Sequence, residues 1–270
     1  MTASTESFHL AGSAFNAVAD SYDAQFTAST IGRAQRSVVW KKAAEVFHDG
    51  DRVLELNCGT GEDALFLASL GVAVTACDAS PRMIELARAR KYNEAPTARI
   101  DFRVSWSERL DRLPPKLTFD GAFSNFSGLN CVKDLTAVAR ELHHRLNSGA
   151  QLLLCLSTRF CLWEMLHYGV RADFRRAFRR CGGSTVARIG GQSFDVYYPS
   201  LRSVLRCFGT QFRLRSVIGV GLAVPPSYME EWARRHLSIL RACESVDRLF
   251  SRWPLFRVLG DHMLLHLERV

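Results

Sequence analysis

The stretch Arg52–Asp78 constrains this chain more than any other. Val53-Leu54-Glu55-Leu56 is a short apolar run with the length of a buried strand. Asn57-Cys58-Gly59-Thr60-Gly61 is a tight, glycine-containing turn. Ala64–Leu70 is an apolar helical run, and the acids before it, Glu62 and Asp63, suit a helix's positive N-terminal end. Gly71 stops the helix, Val72–Cys77 reads as a second strand, and Asp78 stands at its end. A strand–turn–helix–strand unit with an acid 19 residues after Gly59 predicts a doubly wound α/β sheet with a nucleoside at the turn.

The turn also speaks about charge. Glu55, Glu62 and Asp63 flank it, and it holds no lysine or arginine. Such a setting disfavours a pyrophosphate at the helix start and suits a ligand carrying an ammonium and a sulfonium. Asp78 has the lone pairs to accept two ribose hydroxyls. With Glu55-Leu56-Asn57-Cys58-Gly59-Thr60-Gly61 as the first motif and Asp78 as the ribose acid, the chain resembles the class I S-adenosylmethionine-dependent methyltransferases of the small-molecule type. The resemblance implies a Rossmann-like doubly wound α/β fold with a seven-stranded sheet. It also implies S-adenosylmethionine as donor, S-adenosylhomocysteine as product, and no metal. Cofactor contacts are then expected from Glu55, Asn57, Cys58, Gly59, Thr60, Gly61 and Asp78.

Composition sets the outer limits. The 270 residues are 47% hydrophobic and 23% charged, enough for one α/β domain with elaborations. There is no run of 18 uncharged apolar residues to span a membrane. No basic stretch leads into an apolar core at the N-terminus, so a cytoplasmic location is expected. Eight cysteines without a CxxC spacing read as reduced, buried thiols, not a zinc site or disulfide framework. The net charge of +8 permits nucleic acid as partner. The arginines are spread out, apart from Arg171–Arg180 and the C-terminal third, so a small-molecule partner is favoured over RNA. Oligomeric state is not indicated.

Taken in order, residues 1–10 are expected to lack fixed structure. Phe15, Val18, Tyr22 and Phe26 have helical spacing, and Ile31–Phe47 is a second helical segment. The pair (residues 1–50) is expected to fold over the cofactor mouth as a lid. Phe15, Ala19, Tyr22 and Asp23 resemble the opening helix of many small-molecule methyltransferases. That resemblance implies Tyr22 at the cofactor and Phe15 near the substrate; otherwise Tyr22 belongs only to the apolar stripe. Ser80 and Pro81 cap a helix after Asp78, and Ala79 and Met83 are candidates for the adenine side. Ile100–Val104 is a third strand, followed by Ser105-Trp106-Ser107-Glu108. Trp106 occupies the place where the family often has an acid. Trp106 stacking on adenine, a backbone contact, or Glu108 as substitute all remain open.

Phe119–Phe126 is the fourth strand, and its end places Ser124, Asn125 and Phe126 at the carboxyl edge where ligands sit. Asn125-Phe126 lacks the two prolines of the motif that the family uses on planar nitrogens, which weighs toward oxygen as the acceptor atom. Gly149–Ser157 is the fifth strand, closing a cofactor core of residues 51–158. Residues 159–200 form a cover insertion: an aromatic helix, a basic amphipathic segment (Arg171–Arg180) read most simply as a solvated face, with attraction of an acidic substrate or docking on an anionic membrane surface as its alternatives, and a hairpin turned at Gly190-Gly191. Phe212–Val220 and Asp261–Leu267 are the closing strands of residues 201–270, with a helical insertion at 225–259. The whole of 1–270 is expected to form one methyltransferase domain.

A sulfonium leaving group is already activated, so alignment and water exclusion are the main tasks. Any general base must come from the cover, where His167, Tyr197 and Tyr198 are the candidates. Arg159 and Trp163 are candidates for binding the acceptor. The expected acceptor is hydrophobic or aromatic, a specialised metabolite or quinone-like ring. N- or C-methylation, RNA methylation and a cofactor-binding scaffold without turnover are the alternatives.

Overall fold

The computed structural model describes residues 3–110 and 113–270. Helix α1 (Ala3–Tyr22) continues through a π-helical turn, Asp23–Thr27, into α2 (Thr30–Val46). The core then runs β1 (Arg52–Leu56), α3 (Glu62–Ser69), β2 (Ala73–Asp78), α4 (Pro81–Glu94), β3 (Ile100–Val104), β4 (Phe119–Ser124), α5 (Leu135–Arg145) and β5 (Leu146–Ser157). The cover insertion holds α6 (Leu162–Gly169), α7 (Phe174–Ala177), β6 (Ser184–Ile189) and β7 (Gln192–Tyr197). After it come α8 (Leu201–Phe208), β8 (Phe212–Val220), α9 (Glu230–Arg235), α10 (Leu237–Phe250) and β9 (His262–Arg269).

Seven strands form one sheet in the order β3-β2-β1-β4-β5-β9-β8, while β6 and β7 pair separately. The first five strands are mutually parallel; β9 runs antiparallel to both β5 and β8. The chain winds from β1 toward one edge and restarts at β4 toward the other. The crevice between the ends of β1 and β4 is therefore the topological switch point, where this architecture places ligands.

Strand alternation sends side chains to two cores. Leu54, Leu56, Leu152, Leu154, Leu265 and Leu267 pack under α5 and α8. Val53, Val74, Leu153, Ile218 and Leu264 pack on the other face against Val39, Ala43, Leu67, Ile84 and Ala87. Local signals start the helices as expected. Ser80 accepts from the Met83 N–H with Pro81 in the first turn, and Ser29 and Asp134 cap α2 and α5 in the same way.

Three expectations change. The chain is helical from Ala3, within the reach expected to be unstructured, because α1 runs unbroken from there into the segment behind the cavity; Met1 and Thr2 lie outside the described residues. Helix α2 is not a lid: Val39, Ala43 and Phe47 recur every four residues and bury one face against the sheet. Only α1 reaches over the mouth. The basic run of the cover is not uniformly solvated. Arg180 is buried and donates to Glu164 (2.6 Å) and Asp261 (2.8 Å), and Arg179 donates to Glu164 as well.

That ion network clamps the cover to the start of β9. Two arginines hold the Glu164 carboxyl below its usual range despite its burial. Truncating one member of a buried pair leaves its partner uncompensated, at a cost of about 3–5 kcal/mol. Glu164→Ala is therefore expected to lower unfolding stability by about that amount, measured by urea denaturation; an unchanged midpoint would show that the network carries no stability.

Candidate functional site

A cavity of about 200 Å³ opens at the switch point. Its floor comes from Asn57 and Gly59 after β1, Asp78 and Ala79 after β2, and Asn125, Phe126 and Gly128 after β4. Met83, Trp106, Ser107 and Glu108 form one wall; Ala11, Gly12, Phe15 and Tyr22 of the first helix form another. The roof is one face of the hairpin, Ala187, Ile189, Phe194 and Val196, together with Cys131 and Val132.

The floor is built from unusual backbone. Asn57, Phe126 and Ser127 have positive φ of 58°, 45° and 65°, which turns the chain sharply off both strands. Asparagine tolerates that region better than most side chains. Its Oδ1 accepts from Ser107 Oγ (3.1 Å) and Ser124 Oγ (3.5 Å), tying three strand ends together. Gly128 must lack a side chain here, since a Cβ would lie 2.2 Å from that of Asn57.

Asp78 sits where the sequence placed it. Its Oδ2 accepts from the Gly59 N–H (2.9 Å) and its Oδ1 from the Ser80 N–H (2.8 Å). Burial raises its pKa, and those backbone donors oppose the rise. Each oxygen keeps a further lone pair toward the cavity. A Cβ on Gly59 would meet only Tyr22, at 3.9 Å, so the backbone there is open to close approach by a ligand.

The expected charge of the turn needs correction. Glu62 is paired with Arg90. Asp63 is buried and accepts from Trp40 Nε1 (2.5 Å) and Asn125 Nδ2 (3.1 Å), with Arg36 Nε 3.1 Å away. Glu55 is buried, and desolvation and then Asp63 hold its carboxyl pKa well above the usual range. Glu62 and Asp63 are compensated by cationic and N–H partners, and burial disfavours charge on Glu55, so the turn carries less negative charge than its composition suggests.

The other expected cofactor residues divide cleanly. Tyr22, Asn57, Gly59, Asp78, Ala79, Met83, Trp106 and Asn125 meet at the cavity, as do Phe15 and Phe126. Cys58 and Gly61 are packed beneath it; Gly61 allows α3 to approach Phe102 and Ala87. Thr60 donates to Asp23 (2.6 Å), Ser105 hydrogen-bonds Arg109 O (3.2 Å), and Ser124 acts through Asn57. None of Glu55, Cys58, Thr60, Gly61, Ser105 and Ser124 lines the cavity.

The candidate bases lie away from it. His167 packs against Tyr168 and Tyr228. Tyr197 points with Asp195, on the hairpin face opposite Phe194 and Val196. Tyr198 is buried under the Arg180 guanidinium, with its hydroxyl accepting from Thr185. Arg159 lies against Gly183 and Tyr198, and Trp163 donates to Ala223 O (2.7 Å) in a separate groove. Strand parity explains Tyr197, which is out of step with the inward Phe194 and Val196; Tyr198 is in step with them but lies past the end of β7, where it packs under Arg180.

Two features of the site were missed in the sequence. Arg36 is buried behind the cavity and does not line it; it stacks 4.9 Å over the ring of Phe126, which does, and its Nε and Nη1 have no hydrogen-bond partner among the described residues. Its nearest acid contact is made without aiming an N–H at Asp63. An arginine on the same helical stripe as Val39 and Ala43 was the available signal. The second is Glu108, which lines the cavity and whose two carboxyl oxygens are buried without a side-chain or ion-pair partner among the described residues; desolvation pushes its pKa up to about 8.

These groups fit S-adenosylmethionine. Asp78 matches a ribose diol, the unpaired Arg36 Nη1 calls for a carboxylate, and Trp106 with Met83 and Ala79 offers an apolar slot for a planar base. Residues 53–149 match the family model described as "Methyltransferase domain". Fold, motif and match together define this region as a class I S-adenosylmethionine-dependent methyltransferase domain. The chain is similar to a ubiquinone biosynthesis O-methyltransferase of Xanthomonas campestris pv. campestris (strain B100), 34% identical over 112 residues, covering 42% of this chain and 45% of that protein. It is also similar to a demethylmenaquinone methyltransferase of Tropheryma whipplei (strain Twist), 28% identical over 145 residues and covering 52% and 56%. The chain thus spans about half the length of the curated relatives it matches. Among solved structures, the [4+2]-cyclase SpnF shares the fold over 97% of both chains, with a TM-score of 0.64 and 15% identity.

Two outcomes follow. Asp78→Ala is expected to weaken S-adenosylmethionine binding at least tenfold in calorimetry, since a charged hydrogen-bond partner is worth about 1.5–3 kcal/mol; unchanged affinity contradicts the ribose role. For Glu108, the folded pKa lies above the ordinary 4.5. The folded state then holds more protons than the unfolded one in between, so stability falls as pH rises from 4.5 toward 8. Glu108→Gln should remove that fall, seen as a flatter melting temperature against pH; an unaltered profile would place the titrating group elsewhere.

Proposed function

We propose that this protein transfers a methyl group from S-adenosylmethionine to a small, apolar, ring-containing acceptor, with oxygen the favoured atom. The observation that carries the acceptor class is the roof: Ala187, Ile189, Phe194 and Val196 turn one apolar face of the hairpin into the cavity. Such a face gains by covering a hydrophobic ring and offers nothing to a phosphate or a sugar edge. The names of the relatives, which act in quinone biosynthesis, support the same class at modest identity.

The donor supplies an electrophilic methyl on a sulfonium that departs as a neutral thioether. The chain's own residues bind and orient. Asp78 holds the ribose, Arg36 receives the carboxylate, and the first helix with the hairpin excludes water. With His167, Tyr197 and Tyr198 placed elsewhere, an acceptor hydroxyl acidic enough to ionise unaided fits this cavity better than one that needs a base. The fold is also that of a protein named as a [4+2]-cyclase, so a second reading is chemistry other than methyl transfer on the same scaffold.

Incubation with S-adenosylmethionine and a panel of hydroquinones, catechols, carboxylic acids and amines decides between them. Release of S-adenosylhomocysteine with the phenolic members supports the proposal, and conversion without it supports the second reading. Ala187→Trp, which fills the roof, is expected to raise the acceptor KM tenfold or more and leave cofactor affinity within about twofold, because the cost of overpacking falls on the acceptor side alone. Equal losses for both ligands would place the acceptor elsewhere.

A further inference from the structure

A second apolar surface lies between α6 and α10, away from the cavity. Its groove, about 440 Å³, is walled wholly by apolar side chains, among them Leu162, Trp163, Val246, Phe250 and Phe256. The rim is exposed: Leu166 is 57%, Leu249 69% and Trp253 56% accessible. At 100° per residue, Ile239, Ala242, Val246 and Leu249 fall within about 80° of one another on α10. Leu240 and Asp247, on a different side of the helix, are the buried ones. The outward stripe is thus apolar by design of the helix, not by accident of one residue.

Charge tells what suits that stripe. Arg241 and Arg248 run along its flank, with Arg252 just beyond the helix end, all exposed. Residues 159–180 and 230–257 together hold twelve arginines and six carboxylates. Glu164, Asp247 and Arg180 are buried, which leaves eleven arginines and four carboxylates outside the core; Arg234 and Arg235 pair with Glu230 and Glu231, while Arg241, Arg248 and Arg252 stand exposed beside the stripe. An apolar stripe with arginines beside it is the makeup of a helix that lies in a membrane interface. A two-fold pairing of copies across α10 would instead bring each arginine row near its own duplicate.

We propose that the α6–α10 face docks on an anionic lipid bilayer, with Val246, Leu249 and Trp253 at the headgroup boundary and the arginines over anionic headgroups. The inference does not depend on the acceptor assigned above, since lipid binding is read without cofactor or acceptor. It does bear on access: the insertion that supplies α6 also supplies the hairpin roof of the cavity.

Flotation of the full chain with vesicles rich in phosphatidylglycerol, against pure phosphatidylcholine at equal salt, tests it. Binding to the anionic vesicles alone is expected, weakening as salt rises. Ile239→Glu with Leu249→Glu should lower partitioning roughly tenfold or more. Arg241→Glu with Arg248→Glu should lower it about fivefold or more per residue. All four positions are exposed, and an unchanged circular dichroism spectrum confirms folding. Absent binding, equal binding to both vesicle types, or variants that bind like the parent would overturn the proposal. So would a concentration-dependent dimer that Leu249→Glu dissolves and that ignores vesicles, which would assign the face to a second copy.

Discussion

The site hangs on one buried carboxylate that does not touch the cavity. Asp63, in the first turn of α3, accepts from Trp40 on α2 and from Asn125 at the end of β4, with Arg36 beside it. These groups come from three elements that the sheet alone would leave unconnected at their ends. Asn125 is thereby held so that its own Oδ1 accepts from the Phe126 N–H (2.9 Å), which fixes the left-handed turn after β4. Asp63 also leaves two Arg36 nitrogens, Nε and Nη1, without a hydrogen-bond partner among the described residues. The cost of burying a cation so incompletely is understandable if an anionic group completes it.

Much of this was legible in the residues. The cofactor half of the fold follows from an apolar run, a glycine turn, acids in a first helical turn and an acid at the next strand's end, each with a local physical reason. The closing strands and the hairpin could be read as well, since alternation and a Gly-Gly turn are local signals. What could not be read was long-range pairing. Nothing near Glu62 in the sequence announces Arg90, and nothing near Arg180 announces Glu164 and Asp261. The same gap made the turn look acidic when Glu62 and Asp63 are compensated, and made a buried arginine look solvated.

The cover shows how periodicity decides chemistry. On a strand a single step of register reverses the face, so Phe194 and Val196 take the interior and Tyr197, which closes β7, faces away. The roof is consequently apolar, and the titratable side chains that line the cavity, among them Tyr22, Asp78 and Glu108, come from outside the hairpin. Below it, Asn130 is fully buried and fastens the end of β5 to the end of β7, accepting from the Ser157 N–H (2.9 Å) and donating to Tyr197 O (2.6 Å).

The hairpin's tip meets α1 with no room to spare. At Gly190 even a methyl group would come within 2.7 Å of the Ala17 side chain and 2.9 Å of the Ala14 carbonyl. Residues far apart along the chain thus share a surface made of the smallest side chains, and each sets a ceiling on the bulk of the other. A lineage that widened or narrowed its roof through the hairpin would have to retailor the first helix in step, so acceptor preference in such a protein is inherited as a matched pair of segments.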